Sequence, residues 1–330
     1  MKKKWLPLVV MFLVSCVILT VAATSAMAQY TLRLGVAPIK EASAVQSAEL
    51  FGNLVESMSN GRIKFQYFPG AQLGNARQLV EMVRTGSLEA TSTSTQYWTG
   101  VLPYLAALDL PYLYADALAA MLACRSPAFE QVRQDMVQFG IKVAAWTDYG
   151  GRDMGNSVKP INTVQDLNGM KWRIAPSPIF SKVWEAWGAK PIPMPMGELY
   201  TALEAGVVNG VDFPASTLLD QKYAEITKYV TLTNYVTTFA GFFLNKKWFD
   251  SLPKDLQAVV LKAGDVASDW GNLHIERVRY TAVEQLQKMG VKVNTLPPSE
   301  SALLKAKLKP LYDATTKQYA GTFMNLLLGK

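Results

Sequence analysis

Histidine and cysteine are nearly missing from this 330-residue chain, which has one histidine and two cysteines. Cys16 sits inside an N-terminal apolar run, so Cys124 is the only cysteine of the remaining chain. It has no partner for an internal disulfide, and the fold must rest on an apolar core. His274 alone would have to serve any Ser-His or Cys-His mechanism. It falls midway along a long helical pattern with no nucleophile motif nearby, where a packed or helix-surface histidine is the ordinary reading. The chain has no GxSxG elbow, no phosphate-binding GxxxxGKS/T loop, and no CxxC or HExxH metal pattern. Catalysis by lysine or carboxylates is untouched by these absences, yet no motif points to it. Concentrated basic runs are also missing after residue 28, which removes the electrostatic footprint of a nucleic-acid binder. A non-enzymatic protein without metal or cofactor is expected.

What is present begins with Lys2, Lys3 and Lys4, followed by an uncharged, largely apolar run from Trp5 to about Ala23. Ala26-Met27-Ala28 then places small residues at the two positions a signal peptidase reads. Residues 1–28 therefore read as a secretory signal cleaved after Ala28. The rival is an uncleaved anchor, since the run is nearly long enough to span a bilayer. A lipoprotein built on Cys16 fits less well, because Val14-Ser15 is a poor lead-in. Without the three lysines, 30 basic side chains face 26 acidic ones, a mildly basic balance. About 300 residues suffice for two lobes of ordinary domain size.

Along the chain, strand and helix patterns alternate. Leu32 to Val36 is a short apolar strand, and Val45, Ala48, Phe51, Val55 and Met58 repeat at helical spacing until Asn60-Gly61. Ile63, Phe65 and Tyr67 alternate as a strand, and Leu79, Met82 and Val83 mark a helix ended by Gly86. This βαβα start implies a mainly parallel sheet. After Gly140 the pattern restarts: IKVAAW and MKWRIA are strands around the capped turn TVQDLNG, and Ser177-Pro178 opens a helix that Gly188 closes. Tyr235 to Leu244 is extended and can return the chain to the first lobe. Pro253 to Met289 carries one uninterrupted helical period, about 54 Å long, enough to span both lobes. The expected division is 29–149 plus about 239–278 for lobe I, and 150–238 plus about 279–330 for lobe II.

The stretch from Lys171 to Pro214 carries the functional content. Met170, Trp172 and Ile174 share one face of a strand, leaving Lys171 and Arg173 on the other. A cation in such apolar surroundings needs a specific anion. A planar guanidinium binds a carboxylate through two parallel bonds, where lysine offers a point charge. The anion is read as a ligand, with a structural salt bridge to an internal acid as the alternative.

Four segments together, QLGNARQLVEMVRTGSLEA, DLNGMKWRIAPSPIF, GAKPIPMPMGELYTALEAGVVNGVDFP and LNKKWFDSLPKDLQ, resemble the DctP family of TRAP transporter substrate-binding proteins. PMPMGELYTALEAGVVNGVD is the most specific block. The resemblance implies a two-lobed α/β periplasmic binding protein that closes on a small organic acid and delivers it to the membrane subunits of a TRAP permease. It implies that Arg173 is the selectivity arginine of the family's KxR strand. It also matches Arg152 in GGRDMGN to a second arginine that often precedes the first, with Trp146 and Tyr149 as possible cleft walls. Where many members read DGQEN, this chain reads NGVDF, so Phe213 replaces an asparagine beside Arg173. An aromatic ring packs or stacks on a ligand but cannot satisfy its hydroxyls. The TSTSTQYW segment offers Ser94, Thr95, Gln96, Tyr97 and Trp98 from the first lobe, without the glutamate of sialic-acid-type members. A monocarboxylate with an aromatic or apolar body is expected, rather than a C4-dicarboxylate or sialic acid. Asp212 braces the hinge or Arg173 in this reading. The alternatives are metal-assisted binding of a 2-oxo or 2-hydroxy acid, a secreted enzyme using Asp212 with Glu198, and a receptor that feeds a sensor kinase.

Overall fold

A computed structural model describes residues 30–319 and 321–327 of the chain; the expected signal segment lies outside them. Two sheets carry the fold, built from β1 (Tyr30–Gly35), β2 (Ile63–Phe68), β3 (Ala90–Ser94), β4 (Ile141–Gly151), β5 (Asp153–Asn156), β6 (Lys171–Ile174), β7 (Lys190–Pro193), β8 (Gly210–Phe213), β9 (Tyr229–Leu232), β10 (Thr237–Asn245) and β11 (Lys292–Thr295). The first sheet has the order β2-β1-β3-β10-β4 and the second β11-β9-β5-β8-β6-β7. In each sheet one strand opposes the rest: β10 is antiparallel to β3 and β4, and β5 to β8 and β9. Connectivity explains this. The strands β5 and β10 are the two that follow a strand of the other sheet with no helix between, so each starts at the hinge where its predecessor ends. The remaining strands point their C-terminal ends toward the space between the sheets, where open α/β sheets bind ligands.

Local chemistry sets the element boundaries. The helix Gln46–Met58 stops where Asn60 and Gly61 adopt positive φ. Asn75 and Gln78 form a capping box on the helix Ala76–Thr85, which ends at the left-handed Gly86. The Ser177 hydroxyl accepts from Phe180 N to start the helix Pro178–Ala186, as the sequence predicts. The second lobe's core centres on aromatic rings: Trp172 stacks on Trp184 with centroids 4.3 Å apart, and Tyr235 meets Trp184 and Trp187 edge-on. In the first lobe Phe51 stacks on Phe242, and Trp98 packs on Phe243.

The chain crosses between the lobes three times before its last helix. The first two crossings, at Arg152 and at 233–236, lie side by side: Arg152 N donates to Val236 O at 2.9 Å, and Tyr235 N donates to Arg152 O at 3.1 Å. They pack so closely that a Cβ on Gly151 would fall 1.3 Å from Asn234 Oδ1. The third crossing is the helix Lys254–Lys288, 35 residues and about 52 Å long. Its Leu256, Val260, Ala263 and Ala267 enter the first lobe's core, and Ala282 and Leu286 the second's. No helix among the described residues is long and apolar enough to cross a membrane. One expected boundary needs correction. The last helix, Thr322–Leu327, puts Phe323 and Met324 into the core with Phe129 and Phe239, so this part of 279–330 belongs to the first lobe. Tyr104, 4.4 Å from Phe323, receives it there.

Gly210 opens β8 against the face of Trp172, where a Cβ would come within 2.1 Å of the indole. Gly210→Ala is expected to lose about 1–3 kcal/mol, the usual cost of overpacking, read as a lower urea midpoint with unchanged slope.

Candidate functional site

The strand ends converge on a cleft lined by residues of both lobes, the usual place for a ligand in open α/β sheets. The strand β6 brings in Arg173, which is 1% exposed although its neighbour Lys171 faces solvent. Its Nε and Nη2 donate to Met194 O at 3.0 and 2.7 Å. Among the described residues, no carboxylate lies within 4 Å of its guanidinium. Burial pulls its pKa down, as expected for a charge stripped of water without an ion-pair partner.

Arg152 stands in contrast. As the first residue past the β4 crossing, it donates from Nε to Asp212 Oδ2 at 2.7 Å, from Nη2 to Asp212 O, and from Nη1 to Thr238 Oγ1 at 3.3 Å. Asp212 is fully buried and also accepts from the Tyr235 hydroxyl. Burial alone would lower the Arg152 pKa, but the charge of Asp212 and the nearby Tyr235 outweigh it and the net direction is up. The two guanidiniums flank Phe213, with Cζ atoms 5.0 and 5.2 Å from the ring centroid. Tyr223 stacks on the same ring at 5.5 Å. The site therefore holds two buried cations and one bonded anion, leaving Arg173 uncompensated.

The predicted residues divide. Ser94, Tyr97, Tyr149, Arg152, Arg173 and Phe213 line the cleft. Thr95, Trp98 and Trp146 do not. Thr95 bonds Phe239 O, Trp98 is fully buried with its Nε1 on Thr93 Oγ1, and Trp146 packs edge-on against Phe129 and Phe243. An apolar pattern cannot distinguish a cleft wall from core, and here the core takes both indoles. Asp212 does not line the cleft, and it bonds Arg152 rather than the expected Arg173. The suggested pair of Asp212 with Glu198 is not assembled, since Glu198 is exposed on the turn Met196–Glu198 and Asp212 is engaged by Arg152. Among the described residues no group of three or more His, Cys, Asp or Glu could hold a metal ion. His274 stacks on Trp270 in the long helix.

Sequence reasoning missed Ala37, Pro38, Ala175, Pro214, Thr217 and Thr238, all of which line the cleft. Several follow directly on a strand end, so the rule that ligands bind beyond the carboxyl ends of strands could have found them. Also missed was Asp109, a buried acid that reaches Gln96 of the cleft wall. Its Oδ2 accepts from Ser177 Oγ at 2.7 Å, joining the turn Pro103–Asp109 to the cap of the helix Pro178–Ala186. Burial raises its carboxyl to about 7, against the Ser177 hydrogen bond and the field of Arg152. A group whose pKa is raised on folding contributes stability that is full below its unfolded value, near 4, and lost as pH rises through its folded value. Raising the pH from 5 to 8 should therefore lower the wild-type Tm relative to that of Asp109→Asn. Parallel Tm curves for the two proteins over that range would contradict the assignment.

Comparison with known proteins agrees with this architecture. Residues 36–319 match the family model described as bacterial extracellular solute-binding protein, family 7 (DctP). The 2,3-diketo-L-gulonate-binding periplasmic protein YiaO of Escherichia coli is 28% identical over 273 residues, 83% of each chain. The sugar acid binding protein DctPAm of Advenella mimigardefordensis, solved with galactonate, superposes with a TM-score of 0.87 at 27% identity, covering 90% of this chain and 96% of the other. A TRAP periplasmic solute binding protein of Desulfovibrio salexigens, solved with orotic acid, gives 0.85 at 28% identity, with 90% and 96% covered. The chain belongs to the DctP family of TRAP transporter solute-binding proteins.

Proposed function

We propose that this protein captures an organic acid in the periplasm, in the cleft between its lobes, and delivers it to the membrane subunits of a TRAP permease. The observation that carries this reading is Arg173, a buried guanidinium whose protein partner is a neutral carbonyl. A ligand carboxylate supplies the missing charge, and the low dielectric of the cleft strengthens that pair. The proposed ligand is a monocarboxylate with an aromatic or apolar body. One uncompensated cation favours one carboxylate over two. Ala37, Pro38, Ala44, Ala175, Met196 and Pro214 form apolar walls around the cleft. Its hydroxyl groups are largely engaged within the protein: Ser92 with Tyr149, Thr93 with Trp98, and Thr238 with Arg152. Few remain for a polyhydroxylated ligand. The relative bound to orotic acid, a planar monocarboxylate, is consistent with this chemistry.

A thermal-shift screen across aromatic, 2-oxo, sugar and C4-dicarboxylic acids tests the proposal, because a ligand of the native state must raise apparent stability, by about 2.7 kcal/mol at a hundredfold excess over Kd. The expected result is stabilisation by monocarboxylates with compact apolar bodies, unchanged ligand on recovery, and loss of the shift in Arg173→Ala. An undiminished shift in Arg173→Ala would remove the carboxylate role of this residue. Stabilisation by C4-dicarboxylates alone would overturn the reading of the ligand's body.

A further inference from the structure

Away from the arginines, the two lobes are joined at the cleft's side wall by one carboxylate. Asp220 Oδ2 accepts from both the backbone N and the Oγ of Ser43, each at 2.7 Å. The two partners are rooted in different cores. Ser43 opens the turn Ser43–Val45, flanked by the buried Ala42 and Val45 of the first lobe's core. Asp220 ends the helix Ala215–Asp220, whose Ala215 and Leu218 belong to the core of the second. The neighbouring residues Ala44 and Thr217 line the cleft itself, so the bond closes the wall immediately outside the ligand space.

We infer that Ser43 and Asp220 form a closure latch, positioning residues that set how long a bound acid is retained without touching it. The inference rests on the acid-capture reading above for its role, but its geometry does not. The carboxylate reaches both donors only when the lobes are together, so the bond contributes to the closed state alone. A contact made in one of two states shifts the equilibrium by its full value. A hydrogen bond to an ionised acceptor corresponds to about a tenfold change in that equilibrium. Because the bond breaks on opening, the change falls on dissociation, while association proceeds through the open form.

The test compares wild type with Ser43→Ala, which keeps the backbone donor, and with Asp220→Asn and Asp220→Ala. Hydrogen exchange at the Ser43 amide and small-angle scattering are measured on the ligand-free protein, and orotate dissociation by stopped flow. In Asp220→Ala we expect faster exchange at Ser43, a larger radius of gyration, and orotate release about tenfold faster with association little changed. Ser43→Ala and Asp220→Asn are expected to give intermediate values, and the ligand-free Tm to stay near that of wild type. A general loss of Tm that accounts for the faster exchange would mark a purely structural contact and overturn the latch. Unchanged exchange and scattering in Asp220→Ala would overturn it as well. Those two measurements need no ligand, so failure of orotate to bind wild type counts against the acid-capture reading and not against the latch.

Discussion

The buried pair of Arg152 and Asp212 is the interaction on which the rest of this site depends. Two ionised groups taken out of water are stable only when their geometry is good and their remaining hydrogen-bonding capacity is met. Here Asp212 on β8 takes the Arg152 Nε–H and the Tyr235 hydroxyl on one oxygen, its other oxygen staying buried without a partner, while the Arg152 backbone bonds Tyr235 and Val236. The pair thus ties both crossing segments to the centre of the second sheet. It also decides what is left over. Arg173 lies on β6, one strand away from β8 and opposite Val211. With Asp212 held by Arg152, Arg173 meets a carbonyl alone. The same ion pair therefore pins the hinge and leaves Arg173 without an acidic partner.

That arrangement links capture to closure. On the proposed function a carboxylate entering against Arg173 lies near the crossings, and two contacts join the lobes beside the cleft, Asp109 with Ser177 and Ser43 with Asp220. Binding shifts the hinge equilibrium only through contacts that differ between open and closed forms. The walls Ala37, Pro38 and Ala44 of the first lobe and Ala175, Met196 and Pro214 of the second face one cleft. An apolar ligand body between them gains burial from both sides on closure, and the charge and the body thereby act on the same motion.

Much of the architecture was legible because it follows from local rules. The helix stops at Asn60-Gly61 and Gly86, the cap at Ser177, and the uninterrupted period from Pro253 to Met289 each depend on a few neighbouring residues, and each appears in the structure near the predicted position. The special status of Arg173 was legible too, because strand alternation set it opposite Trp172. What was not legible depends on partners far apart in sequence. Arg152 and Asp212 are 60 positions apart and Asp109 and Ser177 68, and no spacing rule reports such pairs. Trp98 and Trp146 were misplaced for a related reason: an aromatic residue beside a strand end suits cleft and core equally until the opposite layer is known. Here Phe129, Phe239 and Phe243 fill that layer.

Phe213 shows why an aromatic residue can stand beside two buried cations. Its ring lies about 5 Å from both guanidiniums, and the negative face of an aromatic ring attracts cations while offering no proton acceptor that could neutralise them. It lies beside both like charges and leaves the charge of Arg173 available. An asparagine in its place would present a carbonyl to one of the arginines and an amide to the ligand, exchanging an apolar contact for a directed polar one. On the proposed function, with the ring present, the strong directed interaction centres on Arg173 and the ligand carboxylate, and selectivity among acids falls to the shape of the walls. Those walls discriminate by one methylene at a time, at about 1–3 kcal/mol each, so such a cleft accepts a chemical class by its charge and ranks members of that class by fit.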